Sequence, residues 1–219
     1  MSRILDQFDR VRIVNLPYRT DRRREMDMEL ARIGLNHDPR VEYFAAFRPE
    51  SPGPFTSIGA HGVYLSQKAI LREAAAAGES VLILEDDCAF SPAAADYAAA
   101  EDWDIFYGGY EAARPDDLAG SDIIGAHMMG FSRRGARLVS AYLENLRPTV
   151  AIHPPIDAAY IWFRRAHPEV ATHFAVPVLA VQRSSKSDIA APKWHHRLPL
   201  GRAMGRLARK ALNRWNSPF

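Results

Sequence analysis

Short apolar runs of strand length alternate along this chain with stretches of helix length, and that alternation limits the fold more than any other feature. "VRIVNL" at 11–16, "VEYFAAF" at 41–47 and "SVLILED" at 80–86 read as strands. Between them, "TDRRREMDMELARIGL" reads as a helix from Thr20, and "HGVYLSQKAILREAAAAG" as a helix closed by Gly78. "SPAAADYAAAED" reads as a helix with Ser91 as cap and Pro92 in its first turn. "DIFYGG" and "GAHMMGFS" follow as strands, "RRGARLVSAYLENL" as a helix capped by Ser132, "PIDAAYIWFRRA" as another, and "FAVPVLAVQ" as a last strand. Strands spaced by such helices imply βαβ units and a mainly parallel sheet with helices on both faces. The expectation is one α/β domain over 1–190 and a tail over 191–219; 219 residues suffice for one substantial core.

Composition narrows the setting. One cysteine, Cys88, rules out an internal disulfide. "MSRILDQFDRVRIV" scatters charge where a signal peptide needs an apolar run, and no apolar stretch reaches transmembrane length, so the chain reads as cytoplasmic. The net charge of +2 is uneven: the last 27 residues hold seven basic side chains and no acid, leaving 21 basic and 26 acidic residues before them. An acidic body with a basic tail points to an anionic partner for the tail.

Three places carry groups suited to chemistry. The apolar run Val81–Leu84 breaks directly into Glu85, Asp86 and Asp87, at the strand edge where open α/β sheets bind ligands. If the strand continues, Glu85 and Asp87 project together and Asp86 opposes them. Two such carboxylates suit Mg2+ or Mn2+, which complete their shells with water and phosphate; the plainer reading is an acidic lead-in to the helix at Ser91. In "NLPYRTDRRR", Arg19, Arg22, Arg23 and Arg24 crowd the positive end of a helix, a conflict that an anionic ligand relieves. The plainer reading there is a solvated face with Asp21 and Glu25 as partners. Asp157 in "HPPID" and the polar "QRSSKSDI" read alone as a helix cap and a turn, and His127 as a core histidine or a metal ligand.

Taken in order, "RIVNLPYRTDRRREM", "GVYLSQKAIL", "SVLILEDDCAF", "GAHMMGFSRRGARLV", "PPIDAAYI" and "AVPVLAVQRSSKSDI" resemble the family 25 glycosyltransferases over residues 11 to 189. The resemblance implies a GT-A-like fold, an acidic motif of the Asp-x-Asp kind, and a UDP-hexose donor held through its diphosphate by Mn2+ or Mg2+. It implies inverting transfer to a glycan acceptor. On this chain Glu85 and Asp87 would hold the metal with His127 as a possible third ligand, and Asp86 would contact the donor sugar or ribose. Asn15, Leu16, Arg19 and Arg22 would line the nucleotide pocket, and Asp188 would contact the diphosphate. Inversion needs a base for the acceptor hydroxyl, and Asp157, at the opening of a helix, is the candidate. The chain departs from the family where its first long helix reads Ser66-Gln67 instead of Ser-His. A non-catalytic relative that binds a sugar nucleotide or glycan is the alternative, and a Mg2+-dependent phosphate-handling protein a third.

In the tail, Leu200, Met204, Leu207, Ala208, Ala211 and Trp215 recur at helical spacing with arginines mostly opposite. That pattern over 193–219 suits an anionic membrane surface carrying a lipid-linked glycan acceptor; a disordered tail or a helix docked on the acidic body are the alternatives. No recognition motif accompanies the charge, so nucleic acid is not expected as a partner.

Overall fold

The computed structural model describes residues 2–100, 102–147 and 152–183, all within a compact unit spanning Met1–Ser185. In chain order the strands are β1 (Ser2–Arg3), β2 (Arg10–Asn15), β3 (Val41–Ala45), β4 (Val81–Glu85), β5 (Cys88–Phe90), β6 (Ala98–Ala99), β7 (Ile105–Ala112), β8 (Ile123–Phe131), β9 (Thr172–Phe174) and β10 (Ala180–Gln182). The α-helices are α1 (Thr20–Arg32), α2 (Ile58–Ala77), α3 (Arg133–Asn145) and α4 (Ile156–Ala166).

Six strands form one sheet in the order β3-β2-β4-β8-β7-β9. β3, β2 and β4 run parallel, β8 runs antiparallel to both of its neighbours, and β9 is parallel to β7. The fold is therefore mixed α/β with a mainly parallel central sheet flanked by helices. β4 shows why a continuous apolar run belongs at the centre. Val81 and Ile83 enter the cluster built with α2, α3 and α4, whereas Leu82 and Leu84 enter the one built with α1. All four are fully buried, at about 1.5–3 kcal/mol of transfer free energy each.

Two capping signals, Ser132 and Gly78, act as expected, and Ser57 adds a cap that was not expected. Ser132 Oγ accepts from the Gly135 amide to start α3, Ser57 Oγ does the same from Ala60 for α2, and Gly78 closes α2 at φ 68°. Three expectations fail. "SPAAADYAAAED" is a short 3-10 turn, Pro92–Ala95, followed by β6, and the Ser91 hydroxyl makes no cap bond. Alanine supplies helix propensity, but residues 92–99 pack as an edge against β1 and the core below it, and tertiary packing overrides propensity. "DIFYGG" and "GAHMMGFS" pair with each other antiparallel, so this half of the sheet is not built from βαβ units. "FAVPVLAVQ" is split: β9 joins the main sheet and β10 pairs antiparallel with β5 in a separate two-stranded ribbon. Pro177, with no N–H to donate, lies in the break.

Candidate active site

Because β2 and β4 are parallel with Val14 opposite Glu85, the segments leaving them emerge side by side at the carboxyl edge of the sheet. One leads through Leu16, whose carbonyl accepts from the Arg19 amide at 2.8 Å, into the first turn of α1; the other is the acidic triplet. Asp86 and Asp87 do not continue β4. They form a two-residue turn before β5, so the alternation expected to separate Asp86 from its neighbours stops at Glu85. A single Arg22 nitrogen reaches both, 2.7 Å from Asp86 Oδ1 and 3.4 Å from Asp87 Oδ2.

The three acids sit in different surroundings. Asp86 is buried, with its oxygens held by Arg22 and by Asn15 Nδ2 at 2.7 Å. Asp87 is 6% exposed; its Oδ2 accepts from Gln182 Nε2 at 3.1 Å, and its Oδ1 is buried with no hydrogen-bond partner. Glu85 lies deep among protein atoms yet keeps part of its surface open. Burial, then the charges of Asp87, Asp86 and Asp157, push its carboxyl up to about 8, with Arg22 opposing. Burial raises Asp87 above the ordinary carboxylate range too, again against Arg22. Among the described residues the three clustered acids face one arginine side chain, Arg22, and are under-neutralised, and a missing positive charge is the simplest reading of that imbalance.

His127 is brought to the same end of β8 and is 5% exposed. Burial lowers its pKa, and the ring nitrogen Nε2 is 2.9 Å from the Ala180 carbonyl, which accepts only from N–H, so Nδ1 is left as the lone-pair nitrogen. A β-carbon at Gly109 would overlap the ring, which explains a glycine at that point of β7. Next to it the β7–β8 pairing is irregular between Tyr107 and Gly109, a bulge of the kind that re-aims side chains at strand ends. Asp157 lies in the first turn of α4 but does not cap it. Pro155 holds that position, and Asp157 accepts from Ala158 N at 2.9 Å and from Gly125 N at 3.3 Å.

Sequence positions 11 to 160 thus converge on one edge: Asn15, Arg22, Glu85, Asp86, Asp87, His127 and Asp157. Arg19 instead folds back on Asp21, at 2.7 Å, and Arg23 lies over the Tyr43 ring, so part of the arginine cluster is a charged face with local partners. Among the described residues no three His, Cys, Asp or Glu side chains form a ready-made metal cage. Asp188, the basic tail and the other residues from 184 onward lie outside the described residues. Gln67, standing where the family histidine was expected, is fully buried. It accepts from the Tyr160 hydroxyl at 2.8 Å and donates to the Ala126 carbonyl at 3.4 Å, and so ties α2, α4 and β8 together. Cys88 is buried, its thiol donates to the His127 carbonyl, and burial raises its pKa. Gln182 and Arg183, which close on the acidic turn, open the polar "QRSSKSDI" stretch that reads alone as a turn; nothing in that pattern singles out these two residues.

No family model matches the chain, and no curated protein matches it. Among solved structures it is similar to a glycosyltransferase involved in glycosylation of the major capsid of PBCV-1. That match has 14% identity and a TM-score of 0.47, over 81% of this chain and 95% of the other. It is also similar to a Bacillus anthracis protein assigned as a glucose-1-phosphate thymidylyltransferase, solved with sucrose. Here identity is 10% and the TM-score 0.40, over 75% of this chain and 66% of the other. Likenesses this remote transfer no activity and no residue role. No helix among the described residues is long and apolar enough to cross a membrane.

Proposed function

We propose that this chain is a hexosyltransferase of the family 25 type. It would move galactose or glucose from a UDP-sugar to a bacterial cell-surface glycan, free or lipid-linked, at the cytoplasmic side of the membrane. The observation that carries the reading is the under-neutralised acidic edge: Glu85 and Asp87 with carboxyls held above their ordinary range, and Asp87 Oδ1 buried without a partner. Two oxygen donors fit a hard divalent cation, Mn2+ or Mg2+, whose remaining positions suit diphosphate oxygens and water. His127, whose Nδ1 keeps its lone pair, is proposed as a third ligand. Such a cation supplies positive charge to a departing diphosphate.

The chain's own groups would do the rest. Arg22 sits beside the turn at the start of α1, where guanidinium and helix N-terminus both favour phosphate. Asp86, held by Arg22 and Asn15, orients that guanidinium. Leu16 and Arg19 border the nucleotide, and Asp188 is proposed as a further diphosphate contact. Two backbone amides hold the Asp157 carboxylate in place. As the acceptor oxygen bonds to the anomeric carbon and the carbon–phosphate oxygen bond breaks, Asp157 takes the hydroxyl proton and UDP leaves with the bonding electrons. Attack opposite the leaving group inverts the anomeric centre. The 193–219 segment is proposed to rest on anionic lipid.

Thermal-shift titration with UDP, GDP and ADP, with and without Mn2+, tests the reading. A ligand bound only to the folded state stabilises by about 2.7 kcal/mol at 100 times its Kd. Stabilisation by UDP that requires Mn2+ and vanishes in Asp87→Ala is the expected result; indifference to metal and to Asp87 overturns it. Mn2+-dependent UDP binding without UDP release in the presence of acceptors would mark a binding protein.

A further inference from the structure

The acidic turn is braced from the far end of the chain. β10 pairs antiparallel with β5, with Gln182 opposite Cys88, which places Gln182 and Arg183 against Asp86 and Asp87. Arg183 donates its main-chain N–H to the Asp87 carbonyl at 2.8 Å and a guanidinium N–H to the Asp86 carbonyl at 2.9 Å. Its partner carboxylate is Glu25 of α1, at 3.3 Å. Arg183 therefore brings its positive charge to the carbonyls of the turn. Gln182 acts on the side chain itself: its neutral amide donates to Asp87 Oδ2 at 3.1 Å. With Oδ2 held by Gln182 and facing Arg22, the atom left buried and unpartnered is Oδ1.

We propose that Gln182 and Arg183 are positioning residues that fix the turn and the Asp87 rotamer so that Oδ1 is the atom offered to a divalent cation. This rests on the donor-cation reading of the site. The chemistry favours a neutral donor at 182. A second cationic side chain on Asp87 would compete with the metal, whereas an amide orients the carboxylate and leaves its charge in place. Three adjacent acids in a buried turn repel one another, so the backbone needs a hold of its own, and Arg183 supplies it from below.

The test uses the full chain and two measurements. Mn2+ binding without donor is followed by EPR of free Mn2+ for wild type, Gln182→Leu and Arg183→Met. Amide hydrogen exchange over 85–90 is followed in EDTA for the same proteins. Residues that orient a metal ligand typically change affinity by about 10–100-fold, so Gln182→Leu is expected to bind Mn2+ at least about tenfold more weakly while its melting temperature stays close to wild type. Arg183→Met is expected to exchange faster over 85–90 and not over α3. Wild-type affinity in Gln182→Leu together with unchanged protection in Arg183→Met would overturn the proposal and leave the cation site standing. A wild-type chain that takes up no Mn2+ would instead remove the cation reading and with it the role of Gln182. Exchange in Arg183→Met then reports separately on whether the brace exists.

Discussion

The two edges of the central sheet both gather carboxylates and arginines, and they treat them in opposite ways. At the amino edge of the parallel strands, Asp9 accepts from Arg133, from the Ser80 amide and from the Ser80 hydroxyl, which hold its carboxyl well below the usual range. Asp104, buried beside it, accepts from Ser132 and from the Ala171 amide and pairs with Arg134. Each acid there has its own cation and backbone donors. At the carboxyl edge, Glu85, Asp86 and Asp87 share Arg22, and burial raises two of the three. A cavity of about 570 Å3 lies at the satisfied edge, lined by Asp9, Trp103, Arg133 and Arg134 among others. Its charged side chains already have partners: Asp9 pairs with Arg133, Arg134 with Asp104 and Asp6 with Arg3. The difference teaches that a site is marked less by hollow space or charged residues than by electrostatics left incomplete.

The largest effect expected from breaking this contrast is at Asp87. On the proposed hexosyltransferase function, Asp87→Ala should lower UDP-sugar turnover on the order of 10^3-fold, equivalent to a few kcal/mol of lost charge stabilisation, with little loss of folding stability. A steady-state assay beside a urea melt decides it. At the other edge the pattern should reverse. A β-carbon at Gly135 would run into the Asp104 carbonyl, so Gly135→Ala should destabilise by about 3 kcal/mol and leave turnover per folded molecule unchanged.

Smaller effects come from pH, and their signs differ between the edges. Glu85 titrates near 8 in the folded chain against 4.5 ordinarily, so between those values the native state holds the extra proton. Stability in EDTA should therefore fall as pH rises from about 5 to 9. Glu85→Gln should flatten that slope in urea melts; an unchanged slope would mean Glu85 is not the group responsible. Asp9 is depressed, so its contribution is complete above its unfolded value near 4 and is lost as pH falls below it. Asp9→Asn should cost about 1 kcal/mol at pH 7, since the pair is partly exposed, and less at pH 2, where part of the contribution has been lost.

Much of this was legible in the chain itself. Val81–Leu84 announced a strand buried on both faces because four consecutive apolar residues leave no polar side to face water. Ser132 and Gly78 announced helix ends because a hydroxyl acceptor and a left-handed residue answer the unpaired backbone groups there. The acidic triplet announced itself by its cost. What stayed hidden were long-range partners. Residues 92–99 have the composition of a helix, and only packing against β1 holds them otherwise. Nothing in "FAVPVLAVQ" says that its two ends join different sheets.

The sequence by itself determined most of the strand and helix sites, the two-faced core of β4 and the placing of acids beside an arginine-rich helix start. These depend on side-chain type and period, which are local properties. The tertiary structure alone decided that Asp86 and Asp87 turn away from the strand, that Arg22 bridges them, and that Gln182 and Arg183 return from 95 and 97 residues away to hold them. Electrostatic balance is a sum over neighbours in space. Whether an acid is satisfied or left wanting a cation is settled only when the chain has closed.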